Sequence, residues 1–133
     1  MDTRHRAALL ALSAALALSP AALAAEGGRT LAHDVYFSLK DASPEAKQRL
    51  VDACRLHLAG HDGTVFFAVG VRAAELARDV NDKAYDVSLH VYFRDRAAHD
   101  AYQEHRRHKR FIEEMQANWA SVRVFDSWVE MIR

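Results

Sequence analysis

A phenol and two imidazoles lie at helical spacing in the second half of the chain. Tyr102 and His105 are three positions apart, and His108 follows at the same interval. Residues three or four apart are neighbours on a helix surface, so the pattern predicts that these side chains cluster if the segment is helical. Phenol and imidazole groups exchange protons and form hydrogen bonds, so this cluster is a candidate functional site. It does not identify a substrate.

Metal binding is the second kind of chemistry that this segment could support. Its nitrogen and carboxylate donors are His99, Glu104, His105 and His108. His105 and His108 offer only two nitrogens at helical spacing, and two ligands do not close a metal site. His57 and His61 form a similar pair elsewhere, which shows how readily such pairs arise in a chain with 8 histidines. We therefore predict no cofactor and keep metal binding as an alternative.

A strand and a helix must position the cluster. From Tyr85 to Phe93 apolar and polar residues alternate, which predicts a strand with two different faces. One face carries Val87, Leu89, Val91 and Phe93, and the other carries Ser88, His90 and Tyr92. Asp95 then caps a second helix, which we expect to present Tyr102 and His105 inward and to continue or resume as far as about Asn118.

The remaining elements follow from periodicity and from helix start signals. Ser43-Pro44-Glu45 is a strong helix start, because serine caps, proline suits the first turn and glutamate favours the positive helix end. The predicted elements are a strand over 31–39, a helix over 44–59, a strand over 64–69 that is covered on both faces, and a final strand over 122–132. The connection over 71–84 is long and polar, with room for a helical turn or two.

This order of elements predicts an α+β fold. Strand, helix, strand, strand, helix, strand is the ferredoxin-like βαββαβ arrangement, an antiparallel sheet with both helices on one face. The predicted strands are apolar on both faces, and two helices can cover only one of them. We therefore expect a homodimer in which two sheets face each other and close a dimeric α+β barrel.

The first residues have the pattern of a secretory signal peptide. Arg4 and Arg6 precede an uncharged run that is too short for a membrane span and contains Pro20. We expect cleavage after Ala24 or Ala25, and hence a periplasmic or secreted protein without a membrane span once the signal is removed. The predicted organisation is a signal peptide over 1–24, a flexible leader over 25–32 and one domain over 33–133.

Charge and cysteine content narrow the possible partners. The chain has 18 basic and 18 acidic residues, and a near-neutral balance argues against nucleic acid as the partner. Cys54 is the single cysteine, so no disulfide can form within the chain even in an oxidising compartment. Its place in an apolar helical pattern predicts a buried small hydrophobic residue.

Three segments resemble a known family. They are His33-Asp-Val-Tyr-Phe-Ser-Leu-Lys40, Tyr85-Asp-Val-Ser-Leu-His-Val-Tyr-Phe93 and Tyr102-Gln-Glu-His105-Arg-Arg-His108. They resemble the opening strand, the third strand and the Tyr-x-x-His-Pro-x-His signature of the stress-responsive A/B barrel (Dabb) family, over nearly the whole domain. Arg106 stands where the family usually has proline, so we expect a softer helix break and a less fixed orientation of His108.

The resemblance implies a function and a set of site residues. One branch of the family cyclises linear polyketides by aldol chemistry, which would make Tyr102 and His108 an acid/base pair. The residues predicted to line a binding pocket are His33, Phe37, His90, Tyr92 and His105. The partners implied are a second copy of the chain and a small apolar or carbonyl-containing ligand, in a stress-related or ligand-binding role.

Two alternatives to an enzyme stay open. Tyr102 could pack against the sheet while His105 and His108 cap the C-terminal end of the helix, where an imidazolium is favoured. Related dimeric α+β barrels bind haem, so the metal-binding alternative includes haem binding.

Overall fold

The computed structural model describes residues 28–132 as four strands and three helices around one sheet. In chain order these are β1 (Thr30–Leu39), α1 (Pro44–Leu58), β2 (Thr64–Val71), β3 (Val87–Phe93), α2 (Arg96–Glu104), α3 (Arg106–Met115), a short 3-10 helix (Gln116–Asn118) and β4 (Trp119–Val129). The predicted ferredoxin-like α+β fold is confirmed, with the second helix divided in two. The predicted signal peptide lies outside the described residues.

The sheet is antiparallel, with the strand order β2-β3-β1-β4. Val35 of β1 lies opposite Leu89 of β3 and Val124 of β4, so these three side chains share the face that the helices cover. The core lies between that face and the helices, and its fully buried members include Phe37, Leu50, Leu89 and Phe93. Among the described residues, no helix is long and apolar enough to cross a membrane.

Helix α1 forms where its capping residues predict it. The Ser43 side chain accepts a hydrogen bond from the Ala46 N–H at 3.2 Å, and Pro44 occupies the first turn. Leu50, Cys54 and Leu58 lie on one buried side of the helix. Burial raises the pKa of the Cys54 thiol to about 12, so this cysteine packs as a small hydrophobic residue, as predicted.

The break between α2 and α3 persists without the family proline. His105 has extended backbone angles (φ −67°, ψ 140°) and ends α2 at Glu104. Its ring nitrogen Nδ1 accepts a hydrogen bond from the Arg107 N–H at 3.0 Å, which caps the start of α3. The break is therefore present although Arg106 stands where the family has proline, because the preceding histidine supplies the cap. His105 itself is exposed rather than inward-facing.

Two strands differ from their predicted environment. The sequence predicts that β2 is covered on both faces, but it is an edge strand with Val65 51% and Phe66 43% exposed. β4 begins at Trp119 and ends at Val129, three residues earlier than predicted, which leaves Ile132 94% exposed.

The long connection between β2 and β3 contains turns and no helix. Asp86 fastens its end to β1, because its N–H donates to the Phe37 carbonyl at 2.7 Å and its carboxylate accepts from the Leu39 N–H at 2.8 Å. Arg123 of β4 pairs with Asp82 at 3.1 Å. These contacts hold the loop over part of the sheet face that lacks helices, which we call the open face.

Candidate functional site

A cavity of about 180 Å³ lies between the helices and the sheet. Its polar or aromatic lining residues are His33, Phe37, Tyr102, Gln103, His108, Phe111 and Trp119. Aliphatic side chains from β1, β3, α1, α3 and β4 complete the wall. Tyr102 and His108 therefore border the same void, together with His33 and Phe37.

Tyr102 reaches the cavity from α2 and is 2% exposed. Its ring packs against His108 of α3, with the ring centres 4.7 Å apart and the planes 63° apart. Burial, and to a lesser extent the neighbouring Cys54, raise the pKa of the Tyr102 phenol above its ordinary value. The phenol thus stays protonated and can act as a hydrogen-bond donor.

His108 is held as a neutral imidazole. Burial lowers its pKa to about 4, and the nearby His33, His61 and His99 contribute in the same direction. Its nitrogen Nδ1 is buried and has no hydrogen-bond partner within residues 28–132. Buried polar atoms are normally paired, and His108 lines the cavity, so this nitrogen is a candidate to contact a ligand.

Trp119 shows the same feature at the start of β4. Its indole Nε1 is buried and lacks a hydrogen-bond partner in the described part of the chain. Because an indole nitrogen can only donate, it requires an acceptor such as a carbonyl oxygen. The sequence analysis did not select Trp119, since only the register of β4 on β1 brings it to the cavity.

His33 enters the cavity wall with a carboxylate partner. Its Nδ1 lies 2.6 Å from Asp126 Oδ1, across the pairing of β1 with β4. On its other side, the Gln103 amide nitrogen lies 3.5 Å from His33 Nε2. The sequence analysis named neither Asp126 nor Gln103 as a site residue, although Asp126 stands out as a charge that interrupts the apolar face of the last strand.

His105 lies on the far side of Tyr102, outside the cavity. The ring of His61 packs between them, 5.0 Å from Tyr102 and 4.7 Å from His105 between ring centres. His61 Nε2 lies 2.8 Å from the His57 carbonyl oxygen, and because a carbonyl only accepts, Nε2 carries the proton. His105 and His108 therefore face different surroundings: His105 lines a separate cleft with His61 and Tyr102, and His108 lines the cavity between the helices and the sheet.

His90 and Tyr92 also lie away from the cavity, on the open face. His90 Nδ1 pairs with Asp34 Oδ1 at 2.6 Å, and the Tyr92 ring packs against Phe66 at 5.1 Å. The prediction that they line the same pocket as Tyr102 is corrected, because alternation along β3 sends them to the opposite face from Leu89.

A family model supports the resemblance of the three segments. The model described as the stress responsive A/B barrel domain, Dabb, matches residues 31–129. No curated protein matches the chain.

Solved structures share the fold at low sequence identity. A dimeric ferredoxin-like protein of unknown function from Thermobifida fusca has 16% identity and a TM-score of 0.65, with 77% of this chain and 93% of that chain covered. A Dabb family protein with a ferredoxin-like fold from Mesorhizobium loti has 21% identity and a TM-score of 0.62, with 74% and 95% covered. The hydroxynitrile lyase from Passiflora edulis has 13% identity and a TM-score of 0.62, with 80% and 98% covered.

Proposed function

This chain belongs to the stress-responsive A/B barrel (Dabb) family, and from that premise we propose that it binds a small carbonyl-containing ligand in the cavity between Tyr102 and His108. The observation that carries the proposal is the pair of unpartnered buried nitrogens, His108 Nδ1 and Trp119 Nε1, on residues that line one cavity. An empty apolar cavity would need no such groups on its wall.

The polarity of these groups defines the ligand. The Tyr102 phenol and the Trp119 indole donate hydrogen bonds, which suits a carbonyl oxygen. The neutral His108 can accept from a hydroxyl group of the same ligand. Phe37 and Phe111 supply apolar wall, so the rest of the ligand is an apolar body small enough for a cavity of about 180 Å³.

The hydrogen-bonded pair of His33 and Asp126 supports the proposal, because it positions the His33 ring on the cavity wall. Asp126 accepts from His33 Nδ1 at 2.6 Å, and the Gln103 amide nitrogen lies 3.5 Å from His33 Nε2. The two contacts fix the orientation of the imidazole on the cavity wall.

The second candidate is an acid/base enzyme of the polyketide-cyclase kind. It is supported by Tyr102 and His108 bordering one cavity, since proton transfer requires both groups within reach of one substrate. A neighbour in fold is described as a hydroxynitrile lyase. We rank binding first, because a histidine with a pKa of about 4 is a weak base at neutral pH.

Two probes of nearly the same shape test the binding proposal. Acetophenone carries a carbonyl oxygen and ethylbenzene does not, so the protein should bind the ketone more tightly by about 1 to 3 kcal/mol. Tryptophan fluorescence can follow both titrations, since Trp119 lines the cavity. Equal affinity for the two probes, or no binding of either, would contradict the proposal.

We also propose a homodimer closed by the open face. Tyr36, Phe66 and Phe125 form aromatic contacts there, and Phe66 is 43% and Phe125 51% exposed. Exposed aromatic groups on a helix-free sheet face are typical of an interface, and solved structures of this fold are described as dimeric.

Sedimentation at micromolar concentration should give twice the monomer mass, and Phe125→Asp should shift the protein toward the monomer. The control is Leu56→Asp on α1, because Leu56 is also an exposed apolar residue (68%, against 51% for Phe125) and lies away from the open face. A monomeric wild type, or dissociation by the control alone, would exclude this interface.

Export remains part of the proposal on the basis of the first residues. The basic start, the short apolar run and Pro20 support cleavage after Ala24 or Ala25. The intact mass of the periplasmic or secreted protein checks this, and a mass that still includes Met1 would contradict it.

A further inference from the structure

A cluster of two imidazoles and a carboxylate stands at the edge of the cavity. One ligand atom from each of His33, His99 and Asp126 lies within 4.8 Å of the other two. Among residues 28–132, this is the one group of three or more histidine, cysteine, aspartate or glutamate side chains that is so closely placed. From this geometry we propose that the chain binds a divalent zinc ion through His33, His99 and Asp126.

The donor set suits zinc. Two imidazole nitrogens and one carboxylate oxygen are three protein ligands, which is the number found in zinc sites that keep one position open for water or substrate. Tetrahedral zinc with bonds of about 2.0 to 2.2 Å requires ligand atoms roughly 3.3 Å apart. The three ligand atoms lie within 4.8 Å of one another, so the wider separations would have to close by up to about 1.5 Å.

His33 and Asp126 already have the proximity that a metal requires. Their atoms Nδ1 and Oδ1 are 2.6 Å apart, so they would separate to roughly 3.3 Å around the ion. Zinc would take the place of the hydrogen bond between them, because a metal ligand must be deprotonated. His33 is nearly buried while the Asp126 side chain is 47% exposed, so the site opens to solvent on the side of β4.

His99 can supply the third ligand atom. Asp100 Oδ1 lies 3.0 Å from His99 Nδ1, which leaves Nε2 as the ligand nitrogen. The Gln103 amide nitrogen lies 3.4 Å from that Nε2 and 3.5 Å from His33 Nε2, so zinc would displace it from His99. The contact between His99 Nδ1 and Asp100 is the kind of outer hydrogen bond that orients a metal-bound histidine.

The position of the cluster suggests what the ion would act on. His33 belongs both to the cluster and to the wall of the cavity, and Gln103, which contacts His33 and His99, also lines the cavity. The open coordination position would therefore face solvent or an oxygen atom of a cavity ligand. The sequence analysis grouped His99 with Glu104, His105 and His108, whereas the structure places it near His33 of β1 and Asp126 of β4.

Titration of the untagged protein with ZnCl₂ tests this proposal. We expect one zinc ion per chain by calorimetry, and Co²⁺ as a spectroscopic substitute should show the intense visible bands of tetrahedral coordination. His99→Gln should weaken zinc binding by at least about 10- to 100-fold. Asp126→Asn, which keeps the size of the side chain but removes its charge, should do the same.

His57→Gln is the matched control. His57 also pairs with a carboxylate, Glu114, at 2.8 Å, but it is not part of the cluster of three donors. Zinc affinity that falls in His99→Gln and Asp126→Asn but not in His57→Gln supports the site. If the wild-type protein binds zinc no more tightly than His99→Gln does, the proposed site is overturned. Acetophenone binding measured with EDTA present fails or succeeds independently of this result.

Discussion

Gly63→Ala is expected to lower the free energy of unfolding by about 2 to 5 kcal/mol, the largest loss among the single substitutions considered. Gly63 has φ +80°, a conformation that costs a side-chain-bearing residue about 1 to 2 kcal/mol. A Cβ atom at this position would also lie 2.4 Å from the Cβ of Ala98, an overlap that adds about 1 to 3 kcal/mol.

The overlap cannot be relieved by a flexible side chain. Ala98 is buried on α2, and the Gly63 carbonyl accepts a hydrogen bond from the Arg94 N–H at 2.9 Å. The turn before β2 and the start of α2 are thus fixed against each other. An alanine at position 63 would push α2 outward, and Tyr102 on the same helix would move with it.

Gly60→Ala is the matched control for the first prediction. Gly60 has a similar φ of +75°, but nothing lies within 4 Å of the place that an alanine methyl group would occupy there, so only the backbone cost of about 1 to 2 kcal/mol applies. Urea denaturation of both variants measures the difference. Equal losses would show that contact with Ala98 contributes nothing, and adding Ala98→Gly to Gly63→Ala should recover part of the loss if the contact is the cause.

Tyr102→Phe is expected to weaken acetophenone binding by about 1 to 3 kcal/mol, which is roughly a 5- to 150-fold loss of affinity. The variant removes one hydroxyl group from a residue that lines the cavity. The carbonyl oxygen of the bound ketone would lose a donor in a site shielded from water, and would have no solvent to replace it.

Ethylbenzene makes this test specific to the hydroxyl group. Its affinity should be the same for wild type and Tyr102→Phe, because the ring and the cavity volume do not change. Tyr85→Phe serves as the control variant, since Tyr85 packs against Tyr36 on the open face and should leave both affinities unaltered. If Tyr102→Phe weakened the two probes equally, the cause would be a change in packing and the hydrogen bond would be excluded.

Local signals were sufficient for the elements of the fold. The cap at Ser43 and the stripe of Leu50, Cys54 and Leu58 depend only on residues within a few turns of helix, so α1 was predicted to within one residue. The alternation in β1 and β3 likewise reflects the two faces of each strand. These patterns together led to the ferredoxin-like order of elements.

Strand order was not accessible in the same way. The segment Thr64–Val71 is largely apolar. A central strand and an edge strand that lies in an interface would both have such a composition. The sheet topology decides between the two: β2 pairs with β3 and with no other strand of the sheet, so it is an edge strand. The start of β4 at Trp119 similarly depends on its register with Leu39, which no local pattern specifies.

The relation between Tyr102 and His108 required the tertiary structure. On an unbroken helix, residues six apart point about 120° away from each other, because each residue turns the helix by about 100°. Their rings are 4.7 Å apart because the chain breaks at His105 and changes direction before α3.

By itself, the sequence determined the α+β class, the positions of the helices and most strands, and the importance of Tyr102, His108 and His33 as candidates, because each follows from short-range periodicity, capping or a family motif. The tertiary structure alone decided that His90 and Tyr92 lie on the open face and that His33 meets Asp126 and His99. His33, His99 and Asp126 are far apart in the chain. Strand register and helix packing bring them together, and both are properties of the whole fold.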